Sequence, residues 1–247
     1  MVFGFLMLPT LVVIPVSFSS SQYLQFPPPG FSLQWYQRYL GSPVWLQATF
    51  LSFKIAITTA ALATVLGTMA AFGIVRGRYR GKMLVSTMLL APLVIPTIII
   101  AIGVYDWYSQ LRLIGSWVGI AIAHTMLALP LVLTIVGAAL RTLDPTLEQA
   151  ALGLGANHLR VIWHITLALI QPAMVASALF AFVLSFDELI VAMFIGGVNM
   201  TLPKRMFDNI RVEIDPTIAP ISTLLIVISC LMLYGVQHVT RAYRRNP

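Results

Sequence analysis

The sequence predicts an all-α membrane protein with six transmembrane helices and one helical loop at the cytoplasmic face. Three observations carry that expectation: 59% of the 247 residues are hydrophobic while 9% are charged, six apolar segments recur along the chain, and one long stretch between them is mixed in polarity. A soluble domain carries about 25% charged residues, so 15 Lys+Arg and 8 Asp+Glu cannot cover a water-exposed surface. Mean hydropathy is +0.90, which excludes disorder and a fibrous repeat. The net charge of +7 is assigned to the anionic inner face of a membrane rather than to nucleic acid, because no basic soluble stretch exists. The one cysteine, Cys230, excludes an internal disulfide and a zinc site.

A crossing helix needs about 20 mostly apolar residues. The first segment, 3–18, is short, lacks a basic flank, and is followed by Ser19, Ser20, Ser21 and Gln22 rather than a cleavage site, so it reads as an uncleaved span. Residues 19–43 form a polar, Pro-rich loop. Span two, 50–75, stops at Arg76, Arg78, Arg80 and Lys82. Span three, 83–104, contains Pro92 and Pro96, which predict kinks or breaks. A turn over 105–116 leads to span four, 117–140. Residues 141–171 carry Arg141, Asp144, Glu148, His158, Arg160 and His164 and read as helices at the membrane surface. Span five is expected over 172–195 and span six over 218–239, the latter ending in Arg241, Arg244 and Arg245. The whole chain, 1–247, is read as a single transmembrane domain.

Six crossings place both termini on one side. With the termini inside, the inner segments hold Arg76, Arg78, Arg80, Lys82, Arg141, Arg160, Arg241, Arg244 and Arg245, and the outer ones Arg38, Arg112, Lys204, Arg205 and Arg211. Nine cations against five predict cytoplasmic termini.

Within the inner loop, Asp144 can cap a helix that begins at Pro145, with Glu148 near its positive end. Leu147, Ala150, Ala151 and Leu154 then share one apolar face, and Gly155 can close the helix in a left-handed conformation. That face suits a groove on another protein or a lipid surface. Gln149, Ala150, Ala151, Gly155, Ile165 and Leu167 fall at the spacing of the EAA loop in permease subunits of ATP-binding cassette importers, which this segment resembles. Gln149 stands where that pattern has Glu, and Ala168 where it has Pro; Glu148 and Pro172 are the expected stand-ins. Phe26 to Tyr36, Ala123 to Thr125, Leu184 to Glu188 and Thr201 to Met206 are similar to the spermidine/putrescine branch of that family.

The resemblance implies a type I ABC importer permease fold in a bacterial inner membrane, forming half of the path for a small amino compound, a polyamine first and an opine or related compound second. It implies a second homologous permease, two ATPase subunits that carry ATP and magnesium, an external substrate-binding protein and surrounding lipid as partners, with no cofactor, metal or catalytic residue in this chain. Glu148, Gln149, Ala150, Ala151, Leu154 and Gly155 are then the residues expected to couple to an ATPase. Gly77, Gly81 and Lys82 only graze the phosphate-loop pattern, since Met83 replaces the magnesium-binding Ser or Thr. A secondary transporter or channel would need no such loop, and an intramembrane enzyme finds no His-Glu-x-x-His or Gly-x-Ser-x-Gly.

Asp187 and Glu188 are expected near the middle of span five, where a carboxylate is costly and by default functional. The pair either offsets the charge of a cationic substrate or bonds to backbone or a partner subunit; with Tyr105, Asp106 and Trp107 at the outer end of span three, where ring faces attract ammonium groups but aromatic residues also belt the interface, they are the candidate substrate path. His124 is expected to make a helix-to-helix hydrogen bond, and Gly73-x-x-x-Gly77 and Gly115-x-x-x-Gly119 are candidate packing motifs. The topology has a direct check. In a Cys230→Ala background, single cysteines at Arg78, Asn157 and Asn246 should resist an impermeant thiol reagent added outside intact cells, and labelling of Asn157→Cys from outside would invert the orientation.

Overall fold

A computed structural model describes residues 2–212 and 215–245, with side chains described over 10–211, 215–232 and 234–235. The side chains of Arg241, Arg244 and Arg245, together with Glu213 and Asn246, lie outside the described residues. Within the domain expected over 1–247, the helices group into two compact units, Met1–Phe53 with Asn199–Tyr234 and Lys54–Val198 with Gly235–Pro247.

The first unit holds α1 (Val2–Ser17), α2 (Gln34–Gly41), the first turns of α3 (Pro43–Arg76), α11 (Leu202–Val212) and the start of α12 (Ile218–Arg245). The loop expected over 19–43 thus contains a helix. Trp35 and Tyr39, four residues apart, are both 6% exposed, and this burial outweighs a composition that reads as loop. The Trp35 indole donates to the Ser21 carbonyl at 3.1 Å, and Tyr39 shares a 2.8 Å hydrogen bond with Thr49 on α3. Ser52 accepts from the Leu202 amide at 2.7 Å, fixing the start of α11, and the Arg205 guanidinium lies 5.7 Å from the Trp45 ring centroid.

The second unit is built around α6 (Trp117–Thr142), whose Ala128, Val132, Val136 and Leu140 are buried. They meet Ala63, Ala71 and Ile74 of α3 and Ile170 and Ala181 of α9 (Leu167–Asp187) in one apolar cluster. Lipid is as apolar as these side chains, so close packing rather than hydrophobic exclusion must hold such helices together. The closest approach is at Gly67, where an added Cβ would lie 2.6 Å from Cγ1 of Val132. Ala63, Gly67 and Ala71 make a small-residue stripe at spacing four on α3. Of the expected glycine motifs, a Cβ on Gly73 meets open space and the nearest atoms to one on Gly119 belong to Leu113, whereas a Cβ on Gly197 would lie 3.0 Å from the Gly115 Cα and the Gly115 amide donates to the Ile195 carbonyl at 2.9 Å.

Span three is not one helix. α4 (Lys82–Leu90) and a 3-10 turn, Ala91–Leu93, meet α5 (Thr97–Gln110) at 105°. Pro92 and Pro96 cannot donate backbone hydrogen bonds, which is why the pair breaks rather than curves. The turn expected over 105–116 shrinks to the residues after Gln110, because α5 carries the aromatic cluster in its last turns.

Span five shifts as well. A helix begins at α8 (His158–Val161), passes through a π-helical segment, Ile162–Thr166, and continues as α9 across Pro172 to Asp187. After a break at Glu188 and Leu189, the short α10 (Ile190–Ile195) follows. The border expected at residue 172 between surface segment and span therefore falls inside a helix. Pro172 removes one backbone donor, which a membrane helix tolerates, and Asn157 caps the true start by accepting from the Arg160 amide at 2.7 Å. Three helices among the described residues, Pro43–Arg76, Trp117–Thr142 and His158–Asp187, are long and apolar enough to cross a membrane, and the bent pair makes a fourth if it counts as one span. Ile218–Met232 is a shorter apolar helix.

The α3–α6 crossing gives a stability prediction. Gly67→Ile should lower stability by about 1–3 kcal/mol through overpacking, and Val132→Ala should recover part of that loss in the double variant. Thermal unfolding of the purified chains in detergent would read it, and an unaltered melting temperature in Gly67→Ile would show that the helices do not touch there.

Candidate functional site

The helix α7 (Pro145–Gly153) forms as the sequence leads one to expect. The Asp144 carboxylate accepts from the Thr146 amide at 2.9 Å, and this bond, with one to the Thr146 hydroxyl, holds the Asp144 carboxyl below its ordinary range. At the other end the Ala156 amide donates to the Ala151 carbonyl at 3.1 Å and the Gly155 amide to Leu152 at 3.0 Å. Gly155 has φ +90°, the left-handed closure that glycine adopts without a Cβ clash.

At 100° per residue, α7 presents two opposite faces. Pro145, Glu148, Gln149 and Leu152 line a pocket of about 450 Å³ together with Val75, Arg76, Gly77, Arg78, Lys82 and His158. Leu147, Ala150, Ala151 and Leu154 lie on the other side, with Leu147 47% and Leu154 90% exposed. The Glu148 carboxylate, expected to stand in for the motif's acid toward a partner, is instead engaged inside the chain. Arg76, the last residue of α3, donates from Nη2 to Glu148 Oε1 at 3.1 Å, and Thr166, the last residue of the π-helical segment, donates to the same oxygen at 3.0 Å. One carboxylate oxygen thus ties α7 to both helices that enter this end of the unit.

Asp187 and Glu188, expected at mid-span, sit at the break between α9 and α10 and have different surroundings. Glu188 is half-buried and its Oε1 accepts from the Val191 amide at 3.0 Å, satisfying an orphan donor of α10. Asp187 is exposed at the C-terminal end of α9, where the helix dipole disfavours an anion. Tyr105, Asp106 and Trp107 are exposed on α5, while Tyr108 turns inward and is 2% exposed. Behind the break, His124 of α6 and Ser185 of α9 share a buried 2.9 Å hydrogen bond, the helix-to-helix bond expected of His124. Lys54, overlooked in the sequence, lies inside span two with its ammonium 3.6 Å from the Trp117 ring centroid. A cation within an apolar run was the signal available for it.

The arrangement of a capped loop helix, a broken span and a proline elbow has relatives. Residues 63–245 match the family described as binding-protein-dependent transport system inner membrane component. The chain belongs to this family. It is 35% identical over 232 residues to the putrescine transport system permease protein PotI of Escherichia coli, covering 91% of this chain and 82% of that protein. It is 31% identical over 243 residues to the spermidine/putrescine transport system permease protein PotC of Haemophilus influenzae, covering 97% and 93%. Among solved structures, a bacterial ABC transporter involved in alginate import superposes with a TM-score of 0.70 at 15% identity, covering 98% of this chain and 92% of that one. The MetNI methionine ABC transporter gives 0.66 at 17% identity, covering 81% and 96%. The protein is thus a multi-pass permease of a binding-protein-dependent ABC importer, a transport component rather than an enzyme.

In this permease the Glu148 carboxylate should be the strut of the loop helix. Glu148→Ala should loosen α7 by about 1.5–3 kcal/mol, the range for hydrogen bonds to a charged group, and raise amide exchange over 145–153. The exchanged pair Arg76→Glu with Glu148→Arg should regain part of the protection. Unchanged exchange in Glu148→Ala would show that the α7 position does not depend on this carboxylate.

Proposed function

We propose that this permease forms half of the path for a polyamine, with α7 docked on a cytoplasmic ATPase and substrate delivered by an external binding protein. Likeness to putrescine and spermidine/putrescine permeases over more than nine-tenths of the chain carries the reading. The fold cannot carry it, since the superposing transporters import methionine and alginate. Six crossings with both termini cytoplasmic complete the proposal, supported by the basic asymmetry.

The chemistry at the α9–α10 break supports a cationic substrate. Passage of a polycation through a low-dielectric path carries a large desolvation cost, which fixed carboxylates can offset. Asp187 is the better placed of the pair: it is exposed, while Glu188 is occupied by the Val191 amide. Asp106, flanked by Tyr105 and Trp107, acts earlier, where rings and carboxylate together attract an ammonium group. On the inner side, the exposed face of Leu147, Ala150, Ala151 and Leu154 takes the ATPase, which hydrolyses ATP with its own magnesium. Closure of the ATPases reaches the path because Glu148 joins α7 to α3 and to the helix that ends at Asp187.

Uptake of labelled putrescine by the complex reconstituted in vesicles tests the reading. Asp187→Asn should lower the rate at least about tenfold while ATPase assembly persists, since one charge contact is worth about 1.5–3 kcal/mol. Glu188→Gln, which keeps an oxygen for the Val191 amide, should transport better than Asp187→Asn. Ala151→Asp should abolish uptake and release the ATPase by burying an unpaired charge. Wild-type uptake in both Asp187→Asn and Ala151→Asp would refute the path and the docking face together.

A further inference from the structure

The pocket behind α7 is cationic, and an apolar groove shares Val75 and Lys82 with its walls. Arg76, Arg78 and Lys82 enter the pocket with His158 beside them, against the single carboxylate of Glu148. Arg76 spends Nη2 on Glu148, but its Nε is buried without a partner. Lys82 donates to the Gly77 carbonyl at 3.2 Å and has two further protons free to donate. Val75 and Lys82 also line a second pocket of about 530 Å³, whose other walls are Ile74, Met83, Ser86, Thr87, Leu90 and Arg141. Four fixed cations therefore surround two adjoining spaces that contain one fixed anion.

We infer that this joined pocket binds one anionic phospholipid, with its phosphate among Arg76, Arg78 and Lys82 and an acyl chain along Ile74, Val75, Met83 and Leu90. The inference rests on the cytoplasmic placement proposed above. Guanidinium forks match phosphate oxygens in geometry and charge, and basic pockets at the cytoplasmic ends of membrane helices are where anionic head groups are held. A soluble anion would leave the apolar groove without a role. The ATPase is not the occupant, because Pro145, Glu148, Gln149 and Leu152 face the pocket while the exposed apolar side of α7 points the other way. A lipid so placed would touch the end of α3, the start of α4 and the inner face of α7, joining the annular lipid to the element that couples to the ATPase.

Native mass spectrometry of the assembled transporter tests this. The complex would be extracted from vesicles of equal parts phosphatidylethanolamine and phosphatidylglycerol, then progressively delipidated. The wild type should retain phosphatidylglycerol after phosphatidylethanolamine is stripped. The double variant Arg78→Gln with Lys82→Gln should hold it roughly 30-fold less well, as expected for two juxtamembrane cations. Ser86→Trp, which fills the groove without changing charge, should lower retention independently. Equal retention in all three proteins would overturn the site. Displacement of the lipid by millimolar inorganic phosphate would reassign it to a free anion and overturn the lipid. Loss of the ATPase from the double variant with phosphatidylglycerol still bound would assign the pocket to a protein contact instead. External labelling of Arg78→Cys would sink the cytoplasmic placement, whereas the retention measurement stands on the detergent-extracted complex alone, so the two failures are separable.

Discussion

The second unit depends on how closely α3 can approach α6. No hydrophobic force separates helix from lipid inside a bilayer, so cohesion comes from dispersion contacts that fall away within about an ångström of lost fit. The stripe of Ala63, Gly67 and Ala71 lets the α3 backbone reach Val132, and the same crossing brings Thr59 Oγ1 to within 3.3 Å of the Ala121 carbonyl. With that approach fixed, α6 presents its other side to α9, and the His124–Ser185 bond has its register. The loop helix inherits its position from α3 and α9, since Arg76 ends the first and Thr166 immediately precedes the second.

Much of this was legible in the residues, and for local reasons. Asp144, Pro145 and Gly155 define a helix start and stop through backbone hydrogen bonds of a few residues' range, so the sequence contains the whole instruction. Pro92 and Pro96 likewise break a span by covalent structure. Where the reading slipped, the deciding interactions were distant. His158, Arg160 and His164 looked like a surface segment, yet the Asn157 cap starts there a helix that runs through Pro172 to Asp187. Its π-helical stretch leaves no trace in hydropathy. The α2 helix was hidden because Trp35 and Tyr39 find their burial against other parts of the first unit, which a composition of Gln, Arg and Tyr does not announce.

The site divides in the same way. Small residues on an exposed face of α7 could be named from spacing alone. The separation of Asp187 from Glu188 could not, because it depends on where α9 ends, and one residue of difference puts one carboxylate in open space and gives the other an amide to hold. Arg76 is an orientation signal in the sequence and a structural donor in the fold. A charge at a helix end can serve both purposes at once, and only the position of Glu148, 72 residues away, distinguishes them. Similar transporters of methionine and alginate share this scaffold, so substrate choice must rest on few side chains rather than on architecture.

The elbow between α4 and α5 also says something about how the permease can exist at all. Around Val94 and Ile95 the regular ladder is interrupted, and both residues are open to their surroundings, at 85% and 42% exposure. Backbone carbonyls released by such a turn find no donor in hydrocarbon, at a cost of several kcal/mol each. Within a span, that cost is removed only by another protein surface or by a wet cavity. A span bent by 105° is therefore best accommodated where protein or water, rather than acyl chain, lies against the elbow.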